Sequence, residues 1–167
     1  MIVETALESD LEEILALQKL AYISEAEICN DFSIPPLLQT IEEIKEEYRN
    51  RVFLKVINDG KIVGSVRAHM QDDTCYIGKL IVHPGFQNNG IGTTLLREIE
   101  NHFKTCKRYE LFTGRNSVRN FEFCVLGKIG HTDAARVSGR IPYIALWKVR
   151  AMTSSCCFLL SLIKLTA

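Results

Sequence analysis

Residues 80–96 change character twice within a short stretch, and this limits what the chain around them can fold into. An apolar strand-like run, Leu80-Ile81-Val82, stops at His83-Pro84. A polar turn carrying Gly85 and Gly90 follows, and Ile91, Leu95 and Leu96 then open a helix. A strand–turn–helix of this kind aims several backbone N–H groups in one direction. The first helical turn adds about half a positive charge of macrodipole. Together they form an anion cradle, whose usual occupant is phosphate. Glycine at positions 90 and 92 lets the backbone approach a ligand with no Cβ between.

The spacing excludes the better-known phosphate loops. A Walker A loop requires Lys-Ser/Thr directly after its last glycine, whereas Ile91-Gly92 follows Gly90. A dinucleotide fingerprint requires Gly or Ala three residues after Gly92, and that residue is Leu95. What stands is Gln87-x-x-Gly90-x-Gly92. It closely resembles the acyl-CoA-binding signature Gln/Arg-x-x-Gly-x-Gly/Ala of the GCN5-related N-acetyltransferase (GNAT) family.

The succession of elements agrees with that resemblance. Residues 2–6 alternate as a short strand. Ser9 or Asp10 is placed to cap a helix along which Leu11, Ile14, Leu15, Leu17 and Tyr22 keep helical spacing. Pro35-Pro36 interrupts the chain, and Thr40 with Glu43 reads as a capping box for a helix to about Tyr48. Strands are expected over 52–57 and 62–68, joined by a tight turn at 58–61, and over 75–82. A helix over about 91–103, a strand over 109–113, a helix over about 117–126 and a strand over 142–149 complete the pattern. The resemblance covers roughly residues 2–150. It implies an α/β (α+β) acyl-CoA N-acyltransferase-like fold: a mixed, mostly antiparallel sheet with helices on both faces. Residues 1–150 suffice for one such domain, with no linker or repeat inside it.

The resemblance also implies a function, an N-acetyltransferase that moves an acetyl group from acetyl-CoA to a primary amine by direct attack in a ternary complex. Acetyl-CoA is then a co-substrate, and no metal is needed. The implied cofactor-binding residues are Leu80, Ile81 and Val82 at the strand end, Gln87, Asn88, Asn89, Gly90, Ile91, Gly92 and Thr93 in the turn, and Asn116 with Phe123 beyond the fifth strand. Asn116, Phe123 and Gly127 fit the family's Asn…Tyr…Gly pattern, except that Phe123 stands where the family has tyrosine. Phenylalanine has no proton for a departing thiolate. A thiol of pKa about 8.5 leaves readily enough that water or Cys124 serves, and Cys124 reads equally as core packing.

A lysine-like amine of pKa about 10.4 costs roughly 4.6 kcal/mol to deprotonate at pH 7, an α-amine near 8 only about 1.4 kcal/mol. A dedicated base is therefore optional for the second class. The candidate bases are His83 at the strand end and Glu27, which with Glu25 lies between the first two helices, where the family places acceptor-specificity residues. His83 reads alternatively as a turn residue and Glu27 as part of a solvated face. His69 and Asp73, flanking a hairpin, are weaker candidates.

Composition sets bounds. The formal net charge of +0 at pH 7 gives no field to recruit nucleic acid or an anionic membrane. Lys104, Lys107 and Arg108, and separately Arg115 and Arg119, are local basic clusters; the second pair suits the adenosine 3′-phosphate or plain solvation. Glu42, Glu43, Glu46 and Glu47 against Lys45 and Arg49 read as an exposed helix face. Cys29, Cys75, Cys106, Cys124, Cys156 and Cys157 show no metal-ligand spacing and fit reduced thiols in a cytoplasmic protein without a secretory signal. The expected partner is a small-molecule amine, with no nucleic acid and no membrane span, in a monomer or homodimer. A non-catalytic acyl-CoA-binding regulatory module is the alternative. Residues 151–167 form an apolar tail of unknown role, shorter than the about 20 residues of a membrane span. A packed native tail, a membrane-surface contact and a coding artefact all stay open for it.

Overall fold

The computed structural model describes residues 2–114, 134–137 and 143–149, with side chains described over 2–111. Strand β1 (Val3–Thr5) leads through a 3-10 turn (Glu8–Asp10) into helix α1 (Leu11–Cys29). The Asp10 carboxylate does not cap α1 as its position suggests. It accepts from the Leu7 N–H and from Lys55 Nζ, each at 2.6 Å, because the preceding 3-10 turn aims it back at strand β2 (Val52–Asn58). Helix α1 runs beyond Tyr22 and stops at Asn30, whose φ of +49° is a left-handed cap.

A short helix α2 (Pro35–Leu38) begins at the proline pair, so the stretch 23–39, irregular in sequence, is largely helical. Helix α3 (Ile41–Asn50) opens on the expected capping box. Thr40 Oγ1 accepts from the Glu43 N–H at 3.2 Å and the Glu43 carboxylate from the Thr40 N–H at 2.8 Å.

Strand β2 turns at Asp59 and Gly60, both at positive φ, into β3 (Lys61–Gln71), which turns again into β4 (Thr74–Val82). A 3-10 turn (Pro84–Phe86), helix α4 (Ile91–His102) and strand β5 (Arg108–Gly114) follow. Strands β6 (Ala134–Val137), which the sequence pattern does not announce, and β7 (Tyr143–Val149) complete a seven-stranded sheet of order β1-β2-β3-β4-β5-β7-β6. Every pairing is antiparallel except β4 with β5. The helix expected over 117–126 lies outside the described residues, as does the tail 151–167.

Helices cover both faces. On one, Leu95, Leu96 and Ile99 of α4 bury Val66, Ala68, Cys75 and Ile77. On the other, Leu11, Ile14 and Leu17 of α1 and Ile44 of α3 bury Phe53, Ile62 and Ile81. Each such side chain contributes about 1.5–3 kcal/mol. The seat of α4 depends on a missing side chain: a Cβ on Gly64 of β3 would stand 2.6 Å from Ile91 Cγ2 and 3.2 Å from Leu95 Cδ1.

Two irregularities shape the end of β4. Its parallel pairing with β5 stops at Ile77, opposite Leu111, so that, among the described residues, 78–82 pair with β3 alone. Between Gly78 and Ile81 the β3–β4 register also slips by one residue, a bulge in which Lys79 takes φ +48°.

Candidate functional site

The open edge of β4 and the turn that follows it form one continuous stretch of backbone. The His83 N–H donates to Val63 O at 2.9 Å, fixing the phase of the antiparallel ladder. By its alternation Ile81 faces β3 with its N–H, and Val82 turns its own toward the gap left by β5. The Leu80 and Val82 side chains lie half-buried against the α4 face, and Ile81 is buried on the opposite one.

The turn holds its shape through its own polar atoms. His83 Nδ1 accepts the Gly85 N–H at 3.1 Å, and the His83 ring meets Phe86 edge to face. Gln87 Nε2 donates to Val82 O at 3.4 Å and Asn89 Nδ2 to Phe86 O at 3.3 Å. Asn88 and Gly90 take φ of +66° and +79°, so the chain reverses twice before α4. Gly90 is the helix N-cap and has no side chain to offer its first turn. None of the N–H groups from Asn88 to Thr93 finds an acceptor among the described residues. Residues 83–96 contain no acidic side chain. A ligand carrying a diphosphate fits here: it would satisfy donors that the protein leaves open, at the positive end of a helix dipole.

The candidate bases are placed differently. His83 has its Nδ1 engaged within the turn, leaving Nε2 as its second ring nitrogen. Glu27 lies exposed in the last turn of α1, and Glu25 is half-buried on the same helix. Asp73 is held by Lys107, whose Nζ stands 2.6 Å from its carboxylate. His69 stacks on Tyr76, its cross-strand neighbour, at 5.3 Å; its Nδ1 is buried with no partner among the described residues. Burial, aided by the charge of Arg51 and opposed by Glu47, holds His69 below the ordinary imidazole range. Asn116, Phe123, Cys124, Gly127, Arg115 and Arg119 lie outside the described residues.

A polar cluster that the sequence does not announce lies on the α1/α3 face beside the bulge. Arg67 is 1% exposed; its guanidinium contacts Glu47 at 2.6 Å, Gln39 at 3.3 Å and Gln18, and sits 4.7 Å from the Phe53 ring centroid. Gln18 donates to Gln39 and to Pro36 O. Lys79 Nζ donates to Gln39 Oε1 at 2.6 Å and stands 3.5 Å from Glu47, which also faces Arg51 at 3.7 Å. Glu47 is therefore not part of an exposed acidic face, whereas Glu46 and Arg49 pair in solvent as that reading has it. The signal was present in β3: Ser65, Arg67 and His69 alternate with Gly64, Val66 and Ala68, so a strand covered on both sides has one polar face. Among the described residues no His, Cys, Asp and Glu group could hold a metal, and no helix is long and apolar enough to cross a membrane.

Comparison with known proteins supplies a further set of findings. The acetyltransferase (GNAT) family profile matches residues 11–124. The UPF0157 protein YqkA of Bacillus subtilis (strain 168) is 31% identical over 105 residues, 63% of this chain; the match spans only 30% of that longer protein. The fold is similar to a PaiA N-acetyltransferase from Thermoplasma acidophilum in complex with coenzyme A, with TM-score 0.63 and 19% identity over 90% of this chain and 100% of that one. It is also similar to smu.2055 from Streptococcus mutans UA159, with TM-score 0.70 and 18% identity over 88% and 96% of the two chains. A third similar structure is the ribosomal-protein-S18-alanine N-acetyltransferase of Escherichia coli, with TM-score 0.68 and 11% identity over 95% and 99%.

Proposed function

Because the chain belongs to the acetyltransferase (GNAT) family, we propose that it moves an acetyl group from acetyl-CoA to the primary amine of a small molecule by direct attack in a ternary complex. The observation that carries this reading is the continuity of two features: the unpaired edge of β4 beyond Ile77 and the uncapped N–H groups from Asn88 to Thr93. The coenzyme A complex of the T. acidophilum structure supports the choice of acyl carrier. When bound, acetyl-CoA supplies the thioester that the amine attacks.

The chain's own residues would contribute as follows. The backbone N–H groups of Asn88, Asn89, Gly90, Ile91, Gly92 and Thr93 hold the diphosphate, with Gln87 bracing the turn through Val82 O. The strand segment Leu80, Ile81 and Val82 carries the acyl arm, and the Val82 N–H polarises the thioester oxygen. The family resemblance adds Asn116 and Phe123 as further residues for binding the acyl carrier. His83 through Nε2, or Glu27, takes the proton of the amine; holding both reactants at near-attack distance contributes more than either base. Phenylalanine at 123 supports a second reading, a non-catalytic acyl-CoA-binding module.

Calorimetry with acetyl-CoA on the native protein and on Gly90→Ala/Gly92→Ala, followed by thiol-release assays with amines, tests both readings. Micromolar binding lost in the double variant, with turnover, is expected. Binding without turnover favours the module, and a folded protein that binds no acetyl-CoA refutes both.

A further inference from the structure

The α1/α3 face beside the bulge holds more cations than anions. Arg67, Lys79 and Arg51 converge on Glu47 at 2.6, 3.5 and 3.7 Å; three cations less one carboxylate leave two positive charges in excess. Among the described residues the carboxylate that acts on Arg67 and Lys79 is Glu47, and Gln18 and Gln39 offer only carbonyl dipoles. Arg67 is fully engaged and sealed under α1 and α3. Lys79 and Arg51 are not: their side chains keep 21% and 34% exposure. Between them lies Gly78, without a positive φ to require glycine. A Cβ there would rest in ordinary van der Waals contact with Arg51 Nη1 at 3.9 Å and Arg67 Cγ at 4.0 Å, so its absence leaves a small niche facing these two side chains.

This niche borders residues 78–82, the β4 segment released from β5, on the sheet face opposite α4. The phosphate turn feeds α4. An acyl carrier held by that turn therefore leaves the α1/α3 side to the acceptor.

We infer that the acceptor amine also carries an oxyanion, a carboxylate or a phosphate monoester, seated in the Gly78 niche between Lys79 and Arg51. The inference deepens the transferase reading and rests on it. An oxyanion neutralises the excess charge, and Arg51 presents a guanidinium fork that matches its geometry. A polyamine or aminoglycoside would bring further positive charge to a site already rich in it. Such like-charge contact disfavours the wrong partner.

Matched acceptors test this. Thiol release from acetyl-CoA is measured with amino acids, with their amides and decarboxylated amines, and with aminoalkyl phosphates, on the native protein, Lys79→Gln and Arg51→Gln. The expected result is a kcat/KM at least about tenfold higher for one oxyanion class than for its neutral counterpart. Each variant should raise KM for that class about tenfold and leave the KM of acetyl-CoA unchanged. Preference for the carboxylate set or the phosphate set identifies the oxyanion. If acetyl-CoA binds and neutral or cationic amines are used as well as anionic ones, or no anionic amine is used at all, the inference falls while the cofactor reading stands. Absence of acetyl-CoA binding removes the transferase reading and this inference with it.

Discussion

Burial, with the like charges of Arg67 and Arg51, pulls the Lys79 amine from its ordinary 10.5 down to about 8 against the attraction of Glu47. The unfolded chain regains the ordinary value and so binds more protons at this site between about pH 8 and 10.5; the Lys79 contribution to stability rises with pH across that window. Lys79→Met should flatten the rise, which urea midpoints at pH 8 and pH 10 would read. Glu47 is also depressed, so its linkage has the same sign in a more acidic window. Burial alone would raise it, but the bond and charge of Arg67, with Lys79 and Arg51, hold it below the usual carboxylate value. Its contribution is present above the unfolded value and lost as pH falls through the folded one. Glu47→Ala strands a buried guanidinium and should cost about 3 kcal/mol, whereas Arg67→Met removes the charge itself and should cost less. Equal losses in urea titrations would contradict this account of the cluster. None of these partners was legible individually, because a charged residue in a strand and a glutamate in an acidic helix read first as solvated. Only the fold brings Gln18 of α1, Gln39 at the end of α2, Glu47 of α3, Arg67 of β3 and Lys79 of β4 together.

Among the elements, the capping box at Thr40, the hairpin at Asp59-Gly60 and the strand–turn–helix around Gly90 were readable because each is a local rule written in neighbouring residues. The bulge in β4 was not. Residues 75–82 alternate as an uninterrupted strand, and a lysine gives no hint that it will take a positive φ. The break in β4–β5 pairing carries no local signal either, since it depends on where two strands distant in sequence diverge. Strand β6 is only four residues long, too short for its alternation to register, although the turn pair Ser138-Gly139 follows it in the sequence. At Gly90, by contrast, residue and geometry coincide. With φ at +79° and no atom within 4 Å of a built Cβ, alanine there meets conformational cost without a clash. Gly90→Ala should lower stability by about 1–2 kcal/mol and keep the helical circular dichroism of the native chain. A larger loss would point to a packing role the geometry lacks.

For the whole molecule, one sheet separates two cores, and the thiols distribute unequally between environments. Burial, with nearby Cys106 and Glu100, pushes the Cys75 thiol up to about 12, and Cys106 is buried beside it. Cys29 is only half-buried near the end of α1. Alkylation of the native protein followed by mass spectrometry should modify Cys29 well before Cys75 and Cys106; reaction of the buried pair first would imply that the α4 face opens readily. That face is also where Gly64 receives α4. Since a single methyl at 64 would collide with the Ile91 side chain that begins the helix, the two positions hold a shared volume, and a carbon gained at one must be given up at the other. Gly64→Ala should therefore be rescued in part by Ile91→Ala, a coupling that a double-mutant cycle reads directly. In a lineage descending from this chain, the seat of α4 would thus be inherited as a pair of residues far apart in sequence, a change at one favouring a change at the other.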